Sequence, residues 1–462
     1  MRSLKVQLED FRSFKRIDPV HIAPITFLIG QNSTGKTSFL SALNYIFEFQ
    51  ERGSPQLSSE PFDLGSFKQL VHKEQEKSFS IKFSETINLG NSSGLIPFFI
   101  RQFSARMFEK PPVKKRELVD ASLEIVFSDH FGSAEVCSLK FRIEESLLSI
   151  DLRPEFLVEL DFDDKLISFE PEGGMQPPPI INSESGLKVG SLILLLQAIV
   201  SSFYTNEEVG EDQKEARSMP QVARAFTGFS ALLNSFPENV VASSPIRSTP
   251  QRVYRAAQAS DGPDGKGVPY RLRKIKVSDP KRWTRIRKEV NKFGRESGLF
   301  TDFNITKLTD DDAGPFQLKF RVDGRWASIA DVGYGISQTL PVIVDLVTKD
   351  QKSIYLYQQP EVHLHPQAQA GLGSFLASHI GENSDTIAVI ETHSDYLVDR
   401  VRMAIRDGVL SKDSVRILFF SADDGESRID EIQLDRMGQP IDPPNNYRDF
   451  FMREELRILG VN

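Results

Sequence analysis

The chain of 462 residues has almost no cysteine: Cys137 stands alone, which excludes an intrachain disulfide framework and a cysteine-based zinc cluster. Such a thiol reads most simply as a small buried apolar residue, and its isolation points to a reducing, cytoplasmic compartment. Long hydrophobic runs are missing too. The longest apolar cluster, residues 192–200, is interrupted by Gln197 and falls far short of the ~20 residues a bilayer demands. The amino terminus opens on a strand-like segment where a signal peptide would stand, which argues against secretion. Positive charge is in deficit: 56 Lys and Arg stand against 64 Asp and Glu, a net −8, so a general coating by nucleic acid is not implied. There is no internal repeat and no sustained heptad array, which excludes a long coiled-coil arm. What remains, 39% hydrophobic and 26% charged residues, is ordinary for a globular protein of two or three domains.

Against that background one octapeptide stands out. Gly30-Gln31-Asn32-Ser33-Thr34-Gly35-Lys36-Thr37 spells a complete phosphate-binding loop between the apolar strand Ile25-Thr26-Phe27-Leu28-Ile29 and a helix that starts at Thr37-Ser38 and carries Leu40 and Leu43 on one face. The chemistry explains the residue types. Backbone N–H groups of a Gly-rich turn cradle the β-phosphate, the helix directs its positive end at it, Lys36 reaches the β/γ oxygens, and Thr37 offers a hydroxyl to Mg²⁺. The chain is therefore expected to bind a nucleoside triphosphate. No guanine-reading Asn-Lys-x-Asp motif occurs.

The rest of the chain has a readable order. Leu4-Lys5-Val6-Gln7-Leu8 is a strand followed by the turn Asp10-Phe11-Arg12-Ser13-Phe14. From about 75 to 175 the pattern alternates with period two, and the runs at 79–83, 123–127, 139–143 and 156–160 read as strands of an antiparallel sheet. Residues 190–300 read as mainly helical, broken by a Gly/Pro/Asp-rich loop at 260–267. Within them lies the one strongly basic block: Arg271, Arg273, Lys274, Lys276, Lys281, Arg282, Arg285, Arg287, Lys288, Lys292 and Arg295, opposed only by Asp279 and Glu289. On a helix from Lys281 onward, Trp283, Ile286, Val290 and Phe293 form the buried stripe, while Arg282, Arg285, Lys288 and Lys292 share a face that could meet a phosphate backbone, an acidic partner or only solvent.

Strand and helix alternate again after about residue 315, and three motifs arrive in order. Val332-Gly333-Tyr334-Gly335-Ile336-Ser337-Gln338-Thr339-Leu340 is a glycine-containing turn into a helix, with Ser337 as its cap and a second anion site at its start. Ile354-Tyr355-Leu356-Tyr357 is a buried strand that ends in Gln358-Gln359-Pro360-Glu361-Val362-His363-Leu364-His365-Pro366. Thr386-Ile387-Ala388-Val389-Ile390 is another, ending in Glu391-Thr392-His393-Ser394-Asp395. Polar clusters at the carboxyl ends of strands lie where open α/β sheets bind ligands. His363 and His365 alternate on an extended segment without a carboxylate cluster beside them, so they read as structural.

These motifs together resemble the ABC-type ATPase heads shared by SMC proteins and overcoming-lysogenization-defect ATPases, and especially the AAA family ATPases of prokaryotic anti-phage operons. The turn Asp10-Phe11-Arg12-Ser13-Phe14 is similar as well, which adds Arg12 to the expected nucleotide contacts together with Ser38. The resemblance covers roughly the first fifty and last hundred and fifty residues; between them only Ser244-Pro245-Ile246-Arg247 and Tyr254 share it. It implies an α/β fold: an ABC-ATPase head with a mixed sheet, phosphate loop and flanking helices, built from residues 1–75 and 315–462, with an inserted β-rich and then helical region at 76–314. It also implies ATP and Mg²⁺ as ligands, sandwiched between two copies of the chain. Residues 30–37 of one copy would face Gly335, Ser337 and Gln338 of the other, with His393 near the γ-phosphate as a switch residue.

One position departs from that pattern. Relatives place an acid before the Gln-Pro-Glu of this strand end, and Gln358 stands there. A neutral amide supplies no charge to a Mg²⁺ shell, so hydrolysis should be slow while binding persists. Either Glu361 or Glu391 acts in its place, as base or metal ligand, or the acid has been exchanged to trap ATP. The chain ends about forty residues after Val415-Arg416-Ile417-Leu418-Phe419-Phe420, taken as its last sheet-like strand, which leaves no space for a nuclease domain. The resemblance thus implies a sensor or scaffold ATPase that forms a homodimer or higher oligomer through ATP and gates a separate effector, in all expectation a nuclease. The alternative is an SMC-like DNA-repair ATPase that clamps DNA directly.

Overall fold

The computed structural model describes residues 4–52, 58–73, 75–88, 118–144, 146–151, 157–162, 165–169, 239–255, 262–311, 314–348, 352–381 and 385–447, with isolated residues between 228 and 237 and Arg457. The apolar cluster at 192–200 lies outside them. Along the chain β1 (Leu4–Phe11), β2 (Phe14–Arg16) and β3 (Val20–Ile22) precede β4 (Ile25–Gly30) and α1 (Lys36–Arg52). A small hairpin, β5 (Ser58–Ser59) and β6 (Phe62–Asp63), and the single turn α2 (Phe67–Leu70) lead to six strands: β7 (Ser78–Asn88), β8 (Leu118–His130), β9 (Ser133–Ile143), β10 (Ser146–Asp151), β11 (Leu157–Phe162) and β12 (Lys165–Phe169). Next come β13 (Asn239–Ser243), α3 (Val268–Ser278), α4 (Pro280–Ser297), β14 (Asp302–Lys307), β15 (Phe316–Val322) and β16 (Arg325–Ser328). The last part alternates: α5 (Tyr334–Thr348), β17 (Ser353–Gln358), α6 (Pro366–Gly381), β18 (Ile387–Glu391), α7 (Asp395–Arg406), β19 (Val415–Asp423), β20 (Glu426–Leu434) and β21 (Pro440–Ile441).

Two large sheets result. The first is antiparallel, in the order β12-β11-β10-β9-β8-β7-β1-β2 with β3 on the far side of β1. The alternation read between 75 and 175 is realised here: β7 shows a strict buried/partly buried pattern from Ser78 through Glu85 because one of its faces lies on the core. The second sheet runs β13-β17-β18-β4-β19-β20-β21; its first five strands are parallel, and β20 and β21 turn back antiparallel. The fold is thus α/β with mixed sheets. The pairing crosses the boundaries expected from sequence, since β1 joins β7 in one sheet and β13 enters the other.

The central strands β17, β18, β4 and β19 are buried on both faces along most of their length, and successive residues feed different cores. Leu28, Leu356, Val389 and Leu418 join α1 and the antiparallel sheet in one cluster. Phe27, Tyr355, Ala388 and Ile417 join α3 to α7 in the other. Period two along each strand separates these layers, and the carboxyl ends of the parallel strands are left at one edge.

Two sequence expectations are corrected. Residues 239–243 form the edge strand β13 inside a stretch read as helical, because Val240, Val241 and Ala242 form a run too short to carry a period. The strand at 415–420 is also not the last one. Asp424 (φ 49°) and Gly425 (φ 83°) make a two-residue turn that returns the chain as β20, the hairpin that an Asp-Gly pair favours.

Candidate active site

At the end of β4 the chain takes a path only glycine permits. Gly30 has φ +149°, and a Cβ there would lie 2.2 Å from the carbonyl oxygen of Phe420; Gly35 has φ +96°, and a Cβ would lie 2.8 Å from both Phe14 Cζ and Ser427 Oγ. Between them Gln31, Asn32 and Ser33 are exposed at the tip, and Thr34 closes the turn with a bond from Oγ1 to the Gln31 carbonyl at 2.8 Å. Lys36 is buried and folds back on the loop, donating from Nζ to the carbonyls of Gly30 at 3.0 Å and Gln31 at 2.5 Å. Burial pushes this ammonium below the usual lysine range, and Glu391 opposes the shift. Both its hydrogen bonds go to loop carbonyls, so the ammonium lies within the phosphate loop itself. Thr37 is exposed on the first turn of α1, with Ser38 partly covered behind it.

β18 lies directly beside β4 and ends in Glu391, whose two oxygens accept the Thr37 hydroxyl at 3.1 and 2.9 Å. Burial raises this carboxyl above the ordinary range, while the Thr37 hydrogen bond and Lys36 pull it back. On the next strand Gln358 is buried opposite Glu391 in register. Gln359 follows with φ 42° and donates its N–H to the Glu391 carbonyl at 2.8 Å. Glu361 is buried, and its Oε1 accepts Thr392 Oγ1 at 2.7 Å and the His393 N–H at 2.9 Å, whereas Oε2 has no partner. Burial raises Glu361 as well, against the His393 and Thr392 hydrogen bonds and the Arg247 charge.

His393 is neither a core nor a capping histidine. Its ring is open to solvent, and the cap of α7 is Ser394, whose Oγ accepts Leu397 N–H at 3.1 Å and donates to Gln369 at 2.6 Å. The covered part of the ring, and then Lys36, push its imidazolium below the usual histidine value, which favours the neutral form. His365 has a local duty: its Nδ1 accepts the Ala368 N–H at 3.3 Å in the first turn of α6.

The glycine turn at 332–340 differs from its expected form. It follows the three-stranded sheet of β14, β15 and β16, and α5 begins at Tyr334. Ser337 is therefore inside the first turn and is no cap; its Oγ donates to the Tyr334 carbonyl at 2.9 Å, and Ser337 and Gln338 are both buried. Gly333 and Tyr334 occupy the exposed start. Gly335 is tight against the segment after β17, where a Cβ would lie 3.2 Å from the His363 carbonyl oxygen. Arg12, φ 50°, stands in the turn between β1 and β2; its Nη2 bonds to Leu64 O at 3.4 Å, and its neighbours Ser13 and Phe14 are the ones against Gly35.

The basic block divides in two. Trp283, Ile286, Val290 and Phe293 are buried as expected, but much of the charge is engaged inside the fold. Arg271 pairs with Asp345, Arg273 donates to Gly314 O at 2.5 Å, Lys276 to Ile305 O at 2.7 Å, Arg282 to Thr348 O at 2.6 Å, and Arg287 meets Asp302 at 2.7 Å. The solvent face of α4 is Lys281, Arg285, Lys288 and Lys292, without Arg282.

The chain matches the AAA ATPase domain family over residues 1–151 and 274–398, more than half of its length. It belongs to that family. This AAA ATPase has no match among curated proteins. Solved structures similar to it include an Smc head bound to the C-terminal winged-helix domain of ScpA, at 11% identity and TM-score 0.41, covering 94% of this chain and 98% of that one. An Smc head with an extended coiled coil from Pyrococcus furiosus gives 11% and 0.38, covering 100% and 99%; the Smc head of Thermotoga maritima gives 11% and 0.35, covering 94% and 100%.

The site of this AAA ATPase suits a magnesium nucleotide. Mg²⁺ takes oxygen ligands, few from protein and several from phosphate and water, and the Thr37 hydroxyl and Glu391 carboxylate are such a set beside the Lys36 ammonium. Among the described residues no group of three or more His, Cys, Asp or Glu forms an all-protein metal cage. Among these residues no helix is long and apolar enough to cross a membrane.

Proposed function

We propose that the protein is a slow ATPase of the ABC type whose carboxylates divide the work that one acidic strand end performs elsewhere. Glu391, against Thr37, belongs to the metal side; Glu361, with one oxygen free, belongs to the water side. Mg²⁺, when bound, would neutralise charge on the β- and γ-phosphates. Water attacks the γ-phosphorus, the new P–O bond forms as the bond to the β-bridging oxygen breaks, and ADP leaves with that electron pair. Glu361 Oε2 takes the proton of the attacking water. Gln358, buried and neutral, adds no charge to this set, and hydrolysis is slow for that reason. The observation that carries the reading is the pair of unlike carboxylate environments at the carboxyl ends of the parallel strands: one bonded to the loop threonine, the other left with a free oxygen.

The same reading makes ATP a clasp between two copies. The exposed start of α5, Gly333 and Tyr334, would face the partner's phosphate loop with its helix N-terminus, while Ser337 holds that turn in shape. Nucleotide contacts made only in the closed pair shift the population toward it, and loss of the γ-phosphate reverses the shift. Such a dimer or higher oligomer would act as a cytoplasmic anti-phage sensor or scaffold that holds and releases a separate effector, a nuclease. The alternative, a DNA clamp of the SMC kind, is favoured by one observation: Lys281, Arg285, Lys288 and Lys292 recur at i, i+4, i+7 and i+11 on one solvent face, a row suited to phosphates.

Size and turnover of this chain and its Gln358→Glu variant, each with and without ATP, test the reading. An ATP-dependent larger species should persist for the Gln358 form, and the variant should hydrolyse at least about tenfold faster. A protein that stays monomeric when saturated with ATP would overturn the clasp, and equal turnover of the two forms would overturn the division of roles.

A further inference from the structure

Four adjacent parallel strands end at the site edge, and three of them carry the residues already described: β4 the phosphate loop, β18 Glu391, β17 Gln358 and Glu361. The fourth is β13. It pairs with β17 so that Ser243 lies opposite Tyr357, and the chain then runs through Ser244-Pro245-Ile246 to Arg247. Ile246 is 82% exposed, whereas Arg247 is 4% exposed. The surface loop thus turns one residue inward, and that residue is a guanidinium.

Its situation is costly. Nη2 makes one long bond to Ser243 Oγ at 3.4 Å, while Nε and Nη1 are buried without a partner. A buried cation left in this way loses its hydration without replacement unless nearby charge compensates it. Two other buried polar atoms at the same strand ends also lack partners, Glu361 Oε2 and the Tyr357 hydroxyl. Arg247 is held down to about 10 by burial, with Tyr357, Glu361 and Asp345 supporting its charge. An aliphatic side chain would fill the space at less cost, so the guanidinium has a purpose other than packing.

We propose that Arg247 is a positioning residue of the ATPase site, acting from the end of β13 on Glu361 to keep that carboxylate charged and oriented toward the attacking water. The proposal rests on the reading of Glu361 as the base. The groups facing Glu361 fit it: Thr392 and the His393 backbone on the β18 side fix Oε1, and Glu391 adds negative charge that disfavours a second carboxylate. Arg247 is the cation among the groups that act on Glu361.

The test compares full-length wild type, Arg247→Gln and Arg247→Lys in ATP binding and in single-turnover hydrolysis across pH. The glutamine variant should lose about tenfold or more in rate with ATP affinity within about twofold, and the acidic limb of its profile should move to higher pH; the lysine variant should recover most of both. An unchanged rate and limb, or a loss shared by rate and affinity alike with no movement of the limb, would overturn the proposal. If the wild type shows no single-turnover hydrolysis, the base reading of Glu361 fails separately. Carbon-13 titration of the Glu361 carboxyl, assigned through Glu361→Gln, then decides whether Arg247 acts on it, and a titration no higher in Arg247→Gln than in wild type would sink the coupling.

Discussion

Polar residues at the edge of the parallel sheet and cations along α3 and α4 are equally conspicuous in the sequence, and the fold treats them in opposite ways. At the sheet edge Lys36, Glu361 and Arg247 are buried with hydrogen bonding incomplete or borrowed from the backbone, a state that persists only where a ligand or a reaction completes it. Along the basic block most of the side chains are either bonded to carbonyls and carboxylates of their own fold or exposed to solvent. Unfinished burial marks chemistry; solvated charge marks long-range attraction.

The contrast is sharpest at the two kinds of lysine. Lys36→Ala should weaken ATP binding by roughly 100-fold, since it removes a desolvated charge from the phosphate site, whereas Lys288→Ala should leave ATP affinity unchanged; titration with a fluorescent ATP analogue measures both. Gly35→Ala comes next. It forces a Cβ into Phe14 and Ser427 at φ +96°, so a loss of about 2–3 kcal/mol is expected in denaturant unfolding, and an unaltered midpoint would show that the loop can yield. Within the basic block, Arg287→Gln should cost about 1 kcal/mol by cutting the partly buried bond to Asp302, while the four solvent-face changes of Lys281, Arg285, Lys288 and Lys292 to Gln leave stability essentially alone. Those four changes should instead flatten the dependence of duplex binding on log salt by about 3.6, at ~0.9 per phosphate contact; a duplex affinity insensitive to them would remove the row from any nucleic-acid role.

The smallest effect concerns pH. Burial raises Glu361 and Glu391 above their ordinary values, so each favours the folded state while protonated, below the unfolded value of about 4.3, and this contribution is lost as pH rises through the folded value. Glu361→Gln removes that ionisation cost. Its melting temperature relative to wild type should therefore increase from about pH 4 to pH 8, and a gap that narrows over that range would contradict the burial of the charge.

Much of this was legible in the chain. The phosphate loop, its flanking strand and helix, the antiparallel run and the buried stripe of α4 all follow from spacings of two, three or four residues. Errors arose where local pattern competes with distant contacts. Ser337 has the chemistry of a cap, but the helix begins at Tyr334, where Gly335 is packed against the backbone at His363. Arg282 looks like a solvent-facing member of a basic row, and it turns inward to a carbonyl supplied by another element. Gln359, with its positive φ, and Arg247 were visible only as letters of motifs.

By itself the sequence determined the α/β class, the triphosphate-binding loop and the order of its polar strand ends, because these depend on residues near one another along the chain. The tertiary structure alone decided that Glu391 meets Thr37, that Glu361 keeps an oxygen free, and that Arg247 is buried beside them. Strands far apart in sequence became neighbours in one parallel sheet, and register across a sheet depends on the packing of both its faces, which no short-range spacing encodes.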